Sequence, residues 1–228
     1  MPPSFRRFAD AVTGLVYPSL CLGCEQRLSA SEAVPVCARC LRRLPSPPNE
    51  AALSQIRQRE AGGAIRAATA LWAYDDSGTV QRIQYALKYG GQPSLGEPLG
   101  TLMAEAWQGR GVELVIPIPL SRPRFLERGY NQSDALASGV GEALGVPVRS
   151  DVLGRSRPTR TQTRLTASER WTNVLGAFAV ADTQALSGTR VLLIDDVLTT
   201  GATLTAAALV LAETGARVDA AVLAFAGG

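Results

Sequence analysis

Val191-Leu-Leu-Ile-Asp-Asp-Val-Leu-Thr-Thr-Gly-Ala-Thr203 is the stretch on which the fold turns. Four apolar residues in a row, Val191 to Ile194, suit a strand buried on both faces, as inside a parallel sheet. Two adjacent carboxylates follow. A short hydroxyl-rich loop then leads into Leu204, Ala207, Ala208 and Leu211, one face of a helix. The same alternation recurs outward from this point. Ala67–Tyr74 reads as a strand. Val80, Ile83 and Leu87 mark a helix ending at Gly90-Gly91, and Leu95, Leu99, Leu102, Met103 and Ala106 mark another. Leu114 to Pro119 is a short apolar strand, and Leu136, Val140 and Leu144 share a helix face whose cap is Asn131 or Ser133. Val146–Val152 and Gly176–Val180 read as extended, and Arg217–Phe225 as a last strand. Strands alternating with helices predict an α/β fold, a parallel sheet covered by helices on both sides.

Ligands of such sheets bind at the carboxyl ends of the strands. The loop offers several donors there, because the amides of Thr199, Thr200, Gly201, Ala202 and Thr203 lie where a loop enters a helix. Gly201 permits close backbone approach, and three threonine hydroxyls add donors. Asp195 and Asp196 would repel a phosphate but suit vicinal hydroxyls. A phosphate and a diol one sugar apart describe ribose 5-phosphate. The expected binding set is therefore Asp195, Asp196, Leu198, Thr199, Thr200, Gly201, Ala202 and Thr203. Neighbouring side chains on a strand point to opposite faces, so both acids reach one sugar only if the strand has already turned. The alternative is an ordinary helix cap, which needs one such residue, not two acids and three threonines around a glycine. Neither G-x-x-x-x-G-K-[ST] nor a complete G-x-G-x-x-G occurs.

The chain has 228 residues, 46% of them hydrophobic, enough for one medium domain with a small appendage. No apolar run reaches the roughly 18 residues of a membrane span. Arg6-Arg7 is followed by the interruptions Asp10 and Thr13, which argues against a secretory signal, so a cytoplasmic location is expected. Phe5, Phe8, Val12 and Leu15 instead recur at helical spacing. The absence of histidine rules out imidazole as base, nucleophile or ligand. Cys21, Cys24, Cys37 and Cys40 follow the spacing C-x2-C-x12-C-x2-C, which matches a tetrahedral thiolate site for structural Zn2+. Two disulfides are the alternative, but nothing directs the chain to an oxidising compartment. Bound zinc would lower the formal charge of +3 to about +1, so any anion affinity must be local. Residues 1–48 thus read as a helix and a zinc ribbon closed by the stiff linker Pro45-Ser-Pro-Pro48, and residues 49–228 as the main domain. Arg27, Arg39, Arg42 and Arg43 decorate the ribbon as a solvated rim or as phosphate contacts.

A second anion site is expected in Pro119–Arg128, at the ligand edge of the sheet. Arg122, Arg124 and Arg128 can pair bidentately with phosphate oxygens, aided by the amides of Leu120 and Ser121. Solvated surface arginines are the alternative. Gly129-Tyr-Asn-Gln132 reads as a turn and helix cap without assigned chemistry. Residues 155–170 hold five arginines against Glu169 alone, a net +4, and form either a basic flap over the ligand or an exposed loop. Lys88 is the only lysine, and with Tyr89, Arg157, Arg160 and Arg164 it is a candidate phosphate or nucleic-acid contact. Aromatics are scarce at 6%; near the basic segments they are Tyr89, Tyr130 and Trp171.

The loop from Asp195 to Thr203 resembles the phosphoribosyl pyrophosphate (PRPP) signature of type I phosphoribosyltransferases. The likeness extends to the competence protein F (ComF) family. It runs through the cysteines 21 to 40, Lys88-Tyr89-Gly90-Gly91, Pro117 to Gln132, Gln162 to Leu165, Ser168 to Arg170 and Asn173. It implies a type I phosphoribosyltransferase fold behind an N-terminal zinc ribbon, with Pro119–Arg128 as the pyrophosphate loop. Members commonly carry histidine near Ser121, where this chain has serine. The family's place in natural competence implies single-stranded DNA and DNA-uptake proteins as partners.

Two functional readings follow. In one, the chain holds PRPP with Mg2+ and works in DNA uptake or processing; its nucleic-acid affinity would then be modest and salt-dependent. In the other it is an active phosphoribosyltransferase on an unknown nitrogen acceptor, displacing pyrophosphate at the anomeric carbon. Asp195 and Asp196 would carry that chemistry by holding the diol and positioning the metal shell, and the arginines would neutralise the leaving group.

Overall fold

The computed structural model describes residues 20–29, 32, 34–50, 53, 63–75, 78–90, 93–155, 176–181 and 186–227. The expected helix around Phe5–Val16 and the flap residues Arg157, Arg160 and Arg164 lie outside the described residues. In chain order the elements are α1 (Ala38–Leu41), β1 (Ile65–Ala73), α2 (Thr79–Tyr89), α3 (Gly96–Ala104), β2 (Leu114–Pro117), α4 (Arg122–Arg128), α5 (Gln132–Leu144), β3 (Leu153–Arg155), β4 (Phe178–Val180), β5 (Arg190–Leu198), α6 (Ala202–Ala212) and β6 (Arg217–Phe225).

β1, β6, β5 and β2 form one parallel sheet in that order. Alternation along β5 explains why its sequence is apolar throughout. Val191 and Leu193 pack with Leu204, Ala207, Ala208 and Leu211 of α6 on one face. Leu192 and Ile194 pack on the other with Val80, Ile83 and Leu87 of α2, Leu99 and Met103 of α3, and Leu136 and Val140 of α5. Both faces are therefore dry, as the run of four apolar residues implied.

Three details go beyond or depart from the sequence reading. Val146–Val152 adds no strand to the sheet; its pairing is a single bridge between Val148 and Val115. Leu153–Arg155 pairs antiparallel with Phe178–Val180 in a separate ribbon, with Arg155 opposite Phe178. Pro119–Arg128 is not a loop throughout. From Arg122 it is a short helix with Pro123 in its first turn, a position where the missing amide costs nothing, and Gly129 ends it at φ 78°.

Helices α3 and α5 touch backbone to backbone. A Cβ at Gly100 would lie 2.1 Å from the Leu136 carbonyl oxygen, and one at Gly139 would lie 1.9 Å from that of Glu97. The start of α5 is fixed by Asn131, whose Oδ1 accepts from the Ser133 amide at 3.2 Å. Its Nδ2 donates to the Ile118 carbonyl at 3.1 Å, just past β2. The first turn of α5 is thereby set against the carboxyl ends of β2 and β5.

Candidate functional site

A cleft of about 230 Å³ opens at this edge of the sheet. Asp195 and Asp196 line it from β5, Thr199 and Thr203 from the following loop and helix, and Leu120, Ser121, Arg124 and Arg128 from the segment after β2. Lys88, Gln132, Ser133 and Arg155 complete it. Among the anticipated arginines, Arg122 stands apart and lines a neighbouring depression with Phe125 and Asp134. The side chains of Leu198 and Ala202 are in the core, so these two residues can offer a ligand backbone groups only.

The strand does not turn at the two acids: β5 continues to Leu198, and its pairing with β6 extends to Leu198↔Phe225. Both carboxylates nevertheless line one cleft. Asp195 Oδ1 accepts from Ser133 Oγ at 3.0 Å and from the Asp196 amide at 2.9 Å. Asp196 is 4% exposed; its Oδ1 accepts from Gln132 Nε2 at 3.3 Å, and its Oδ2 pairs with the Lys88 ammonium. Burial, and next the charge of Asp196, push the Asp195 carboxyl up to about 7. The bonds from the Asp196 amide and Ser133 and the charge of Lys88 only partly oppose this.

Gly201 begins α6 as a left-handed cap at φ 79°, a conformation that favours glycine. The amides of the first turn of α6 have no acceptor within the helix, and Ala202 N donates weakly to Thr200 Oγ1 at 3.4 Å. Donors and the positive end of the helix dipole thus lie beside Thr199 and Thr203, an arrangement suited to an anion.

Arg128 spans the cleft mouth. Its Nη1 donates to Gln132 Oε1 at 2.8 Å, its Nη2 to the Tyr89 hydroxyl at 3.3 Å, and its guanidinium stands 5.1 Å from the Tyr89 ring centre. Its buried Nε has no hydrogen-bond partner among the described residues. Arg155 donates through Nε to the Pro119 carbonyl at 2.8 Å and lies over the Phe178 ring.

Gln132 and Ser133 are site residues that the sequence reading took only for a turn and helix cap, and Arg155 one that it took for the first arginine of a flap or exposed loop. Gln132 and Ser133 follow the helix cap directly, and a buried polar pair at a helix start was the signal available. Arg155 stood at the edge of a basic run, and only the β3–β4 pairing brings it inward.

The four cysteines form a second centre. Their sulfurs all lie within 4.8 Å of one another, with Cys24 and Cys37 at 3.8 Å. Tetrahedral zinc–thiolate bonds place sulfurs about 3.8 Å apart, so the cluster could hold a zinc ion. Cys21 Sγ accepts from the amides of Gly23 and Cys37, each at 3.3 Å. Burial pushes the Cys21 thiol up, but hydrogen bonds from the Cys37, Cys24 and Gly23 amides outweigh it and bring it down to about 6. Cys40 moves the other way, to about 12, through burial and its crowding by the other three thiols. Such a set favours a divalent cation that neutralises the thiolates together. The cysteine segment is not an isolated module: Cys21, Val34 and Val36 share a hydrophobic cluster with Trp72, Val80 and Ile83.

No helix among the described residues is long and apolar enough to cross a membrane.

Comparison with known proteins agrees with the fold. Residues 127–228 match the phosphoribosyl transferase domain. Competence protein F of Haemophilus influenzae is 40% identical over 93 residues, 40% of this chain and 41% of that protein. The DNA utilization protein YhgH of Salmonella typhimurium is 28% identical over 216 residues, 89% of this chain and 94% of its own length. Competence protein ComFC of Bacillus subtilis is 36% identical over 104 residues, covering 45% and 39%. The match therefore spans about two fifths of the first and third of these relatives. A solved structure of the allosteric regulatory enzyme of purine biosynthesis overlaps 54% of this chain and 24% of that one, at a TM-score of 0.38 and 25% identity. With its α/β fold, the chain is thus similar to competence protein F, ComFC and YhgH, and its residues 127–228 match the phosphoribosyl transferase domain behind a four-cysteine cluster.

Proposed function

We propose that the cleft binds PRPP, or a related ribose 5-phosphate ligand, together with Mg2+, and that the chain acts in DNA uptake or DNA processing in the cytoplasm. One observation carries the ligand: two carboxylates, together with Thr199 and Thr203 at the start of α6, line one small cleft that also holds Arg124, Arg128 and Arg155. The loop at Thr199–Thr203 takes the 5-phosphate, Asp195 and Asp196 take the hydroxyl edge of the sugar, and Leu120, Ser121, Arg124 and Arg128 take the pyrophosphate. Mg2+, bound beside Asp195 and Asp196, would neutralise charge on the pyrophosphate. Zn2+ on the four cysteines would be structural. Lys88 must yield Asp196 when a ligand arrives, which makes it the residue linking an empty cleft to a filled one. Names that speak of competence and DNA utilization support the DNA role, with single-stranded DNA and DNA-uptake proteins as partners.

Titration calorimetry with PRPP and Mg2+ tests the ligand. Binding is expected for the parent chain, and Asp195→Ala with Asp196→Ala should weaken it at least about 100-fold while circular dichroism stays unchanged. Unaltered affinity in that double variant would refute the assignment of the acids. Metal analysis of the reduced protein should find close to one zinc per chain, and chelation should destabilise the cysteine segment. A metal-free chain of unchanged stability would end the zinc reading.

A second reading, a phosphoribosyltransferase acting on a nitrogen acceptor, is favoured by the match of residues 127–228 to the phosphoribosyl transferase domain. Pyrophosphate release dependent on an added amine or base would support it.

A further inference from the structure

Helix α2 buries Val80, Ile83 and Leu87, yet it leaves Tyr85 and Tyr89 66% and 52% exposed. The two tyrosines are four residues apart and so share a helix face, with ring centres 5.2 Å apart and ring planes inclined at 44°. They border a groove of about 670 Å³, whose other walls are Tyr74 at the end of β1 and Leu22 in the cysteine segment. Two lining residues, Arg82 and Lys88, are cations, and none is an acid. Arg128 caps the Tyr89 ring from the direction of the cleft. Arg82 pairs with Glu25 at 3.8 Å and donates to the Gly23 carbonyl at 3.5 Å, and the ion pair is open to water, so it restrains Arg82 weakly.

We infer that this groove is a base-stacking platform for single-stranded DNA. Its composition matches what a flexible strand needs: exposed aromatic faces for successive bases and cations beside them for the phosphates. Two adjoining exposed tyrosines beside a groove are the kind of surface that interaction sites present. The tyrosines stand at the rim of the groove and do not enclose a pocket, which suits a strand passing over them better than a small ring sealed from water. Arg27, Arg39, Arg42 and Arg43 on the cysteine segment are exposed as well. Lys88 lines both the groove and the ribose cleft, with its ammonium paired to Asp196 on the cleft side, so the two sites adjoin. This inference rests on the DNA role proposed above and gives it a place on the molecule.

Fluorescence anisotropy on the full chain, with labelled oligo(dT) and an abasic strand of equal length, tests it. Oligo(dT) should bind more tightly than the abasic strand. Tyr85→Ala should reduce oligo(dT) affinity about tenfold while Tyr85→Trp retains it. PRPP binding by Tyr85→Ala should equal that of the parent, which also shows that the variant is folded. Equal affinity for the two strands, no effect of Tyr85→Ala, or competition by thymidine monophosphate as effective as that by the strand would each overturn the platform. If PRPP fails to bind the parent chain but strand binding still depends on Tyr85, the ribose reading falls and the platform stands.

Discussion

The two ends of the central strands each carry a buried acid paired with a cation, and they are built differently. At the amino end, Asp219 at the start of β6 pairs with Arg190 Nε at 2.7 Å, and the acid is fully buried. Arg190 is further committed: its amide donates to Glu113 at 2.8 Å, and Nη1 donates to the Arg110 carbonyl. Arg110 in turn pairs with Glu50 at 2.7 Å and lies over Trp107. At the carboxyl end, Lys88 meets Asp196 and, among the described residues, otherwise reaches only Gln84 Oε1 at 3.5 Å, and both members of the pair line a cleft. A planar guanidinium fixed on several sides suits a permanent joint. A single ammonium on a flexible stem suits a pair that must open for a ligand. A buried ion pair marks a functional site, on this comparison, when space adjoins it and its cation is loosely held.

Removing the cation at each end is the strongest way to break the comparison. Arg190→Ala leaves Asp219 buried without a counter-charge and should cost about 3–5 kcal/mol of stability in denaturant titration. Lys88→Ala should cost about 1 kcal/mol, because water or a proton can reach Asp196 from the cleft. Equal losses would erase the distinction. A smaller effect sharpens it. The Asp195 carboxyl sits at about 7 in the folded chain against an ordinary 3.8. Its contribution to stability is therefore full below about pH 4 and is lost as pH rises through about 7. Asp195→Asn should flatten that part of the pH–stability curve and raise the melting temperature at pH 8 by about 2–4 °C. An unchanged slope would mean that the crowding of the two acids costs nothing.

The fold was legible where burial is periodic. Val191–Ile194, the α2 face from Val80 to Leu87 and the strand Arg217–Phe225 all lie where their sequence patterns put them. Helix α4 was not, because Arg122 to Arg128 carries four charges and has no apolar stripe from which a helix could be read. The β3–β4 ribbon escaped for another reason: three-residue strands are too short for alternation to register. In the site, the sequence put Asp195, Asp196, Thr199 and Thr203 together at the ligand edge of the sheet, and all four line the cleft. Which neighbours complete the cleft depends on how α5 and Arg155 pack against that edge, and no local pattern encodes this. Tyr85 was passed over for the same reason, since a helical wheel shows that a residue faces outward but not what stands opposite it.

The order of strands in the sheet has a consequence for synthesis. β6 begins at Arg217, yet it lies between β1 and β5 and pairs with both. A nascent chain that has emerged only as far as α6 therefore holds two half-sheets with a gap where their shared neighbour belongs. Such long-range closure is slow relative to local helix formation. The carboxylates at 195 and 196 can take up their final positions only after residues 217–225 have been made and paired with β5.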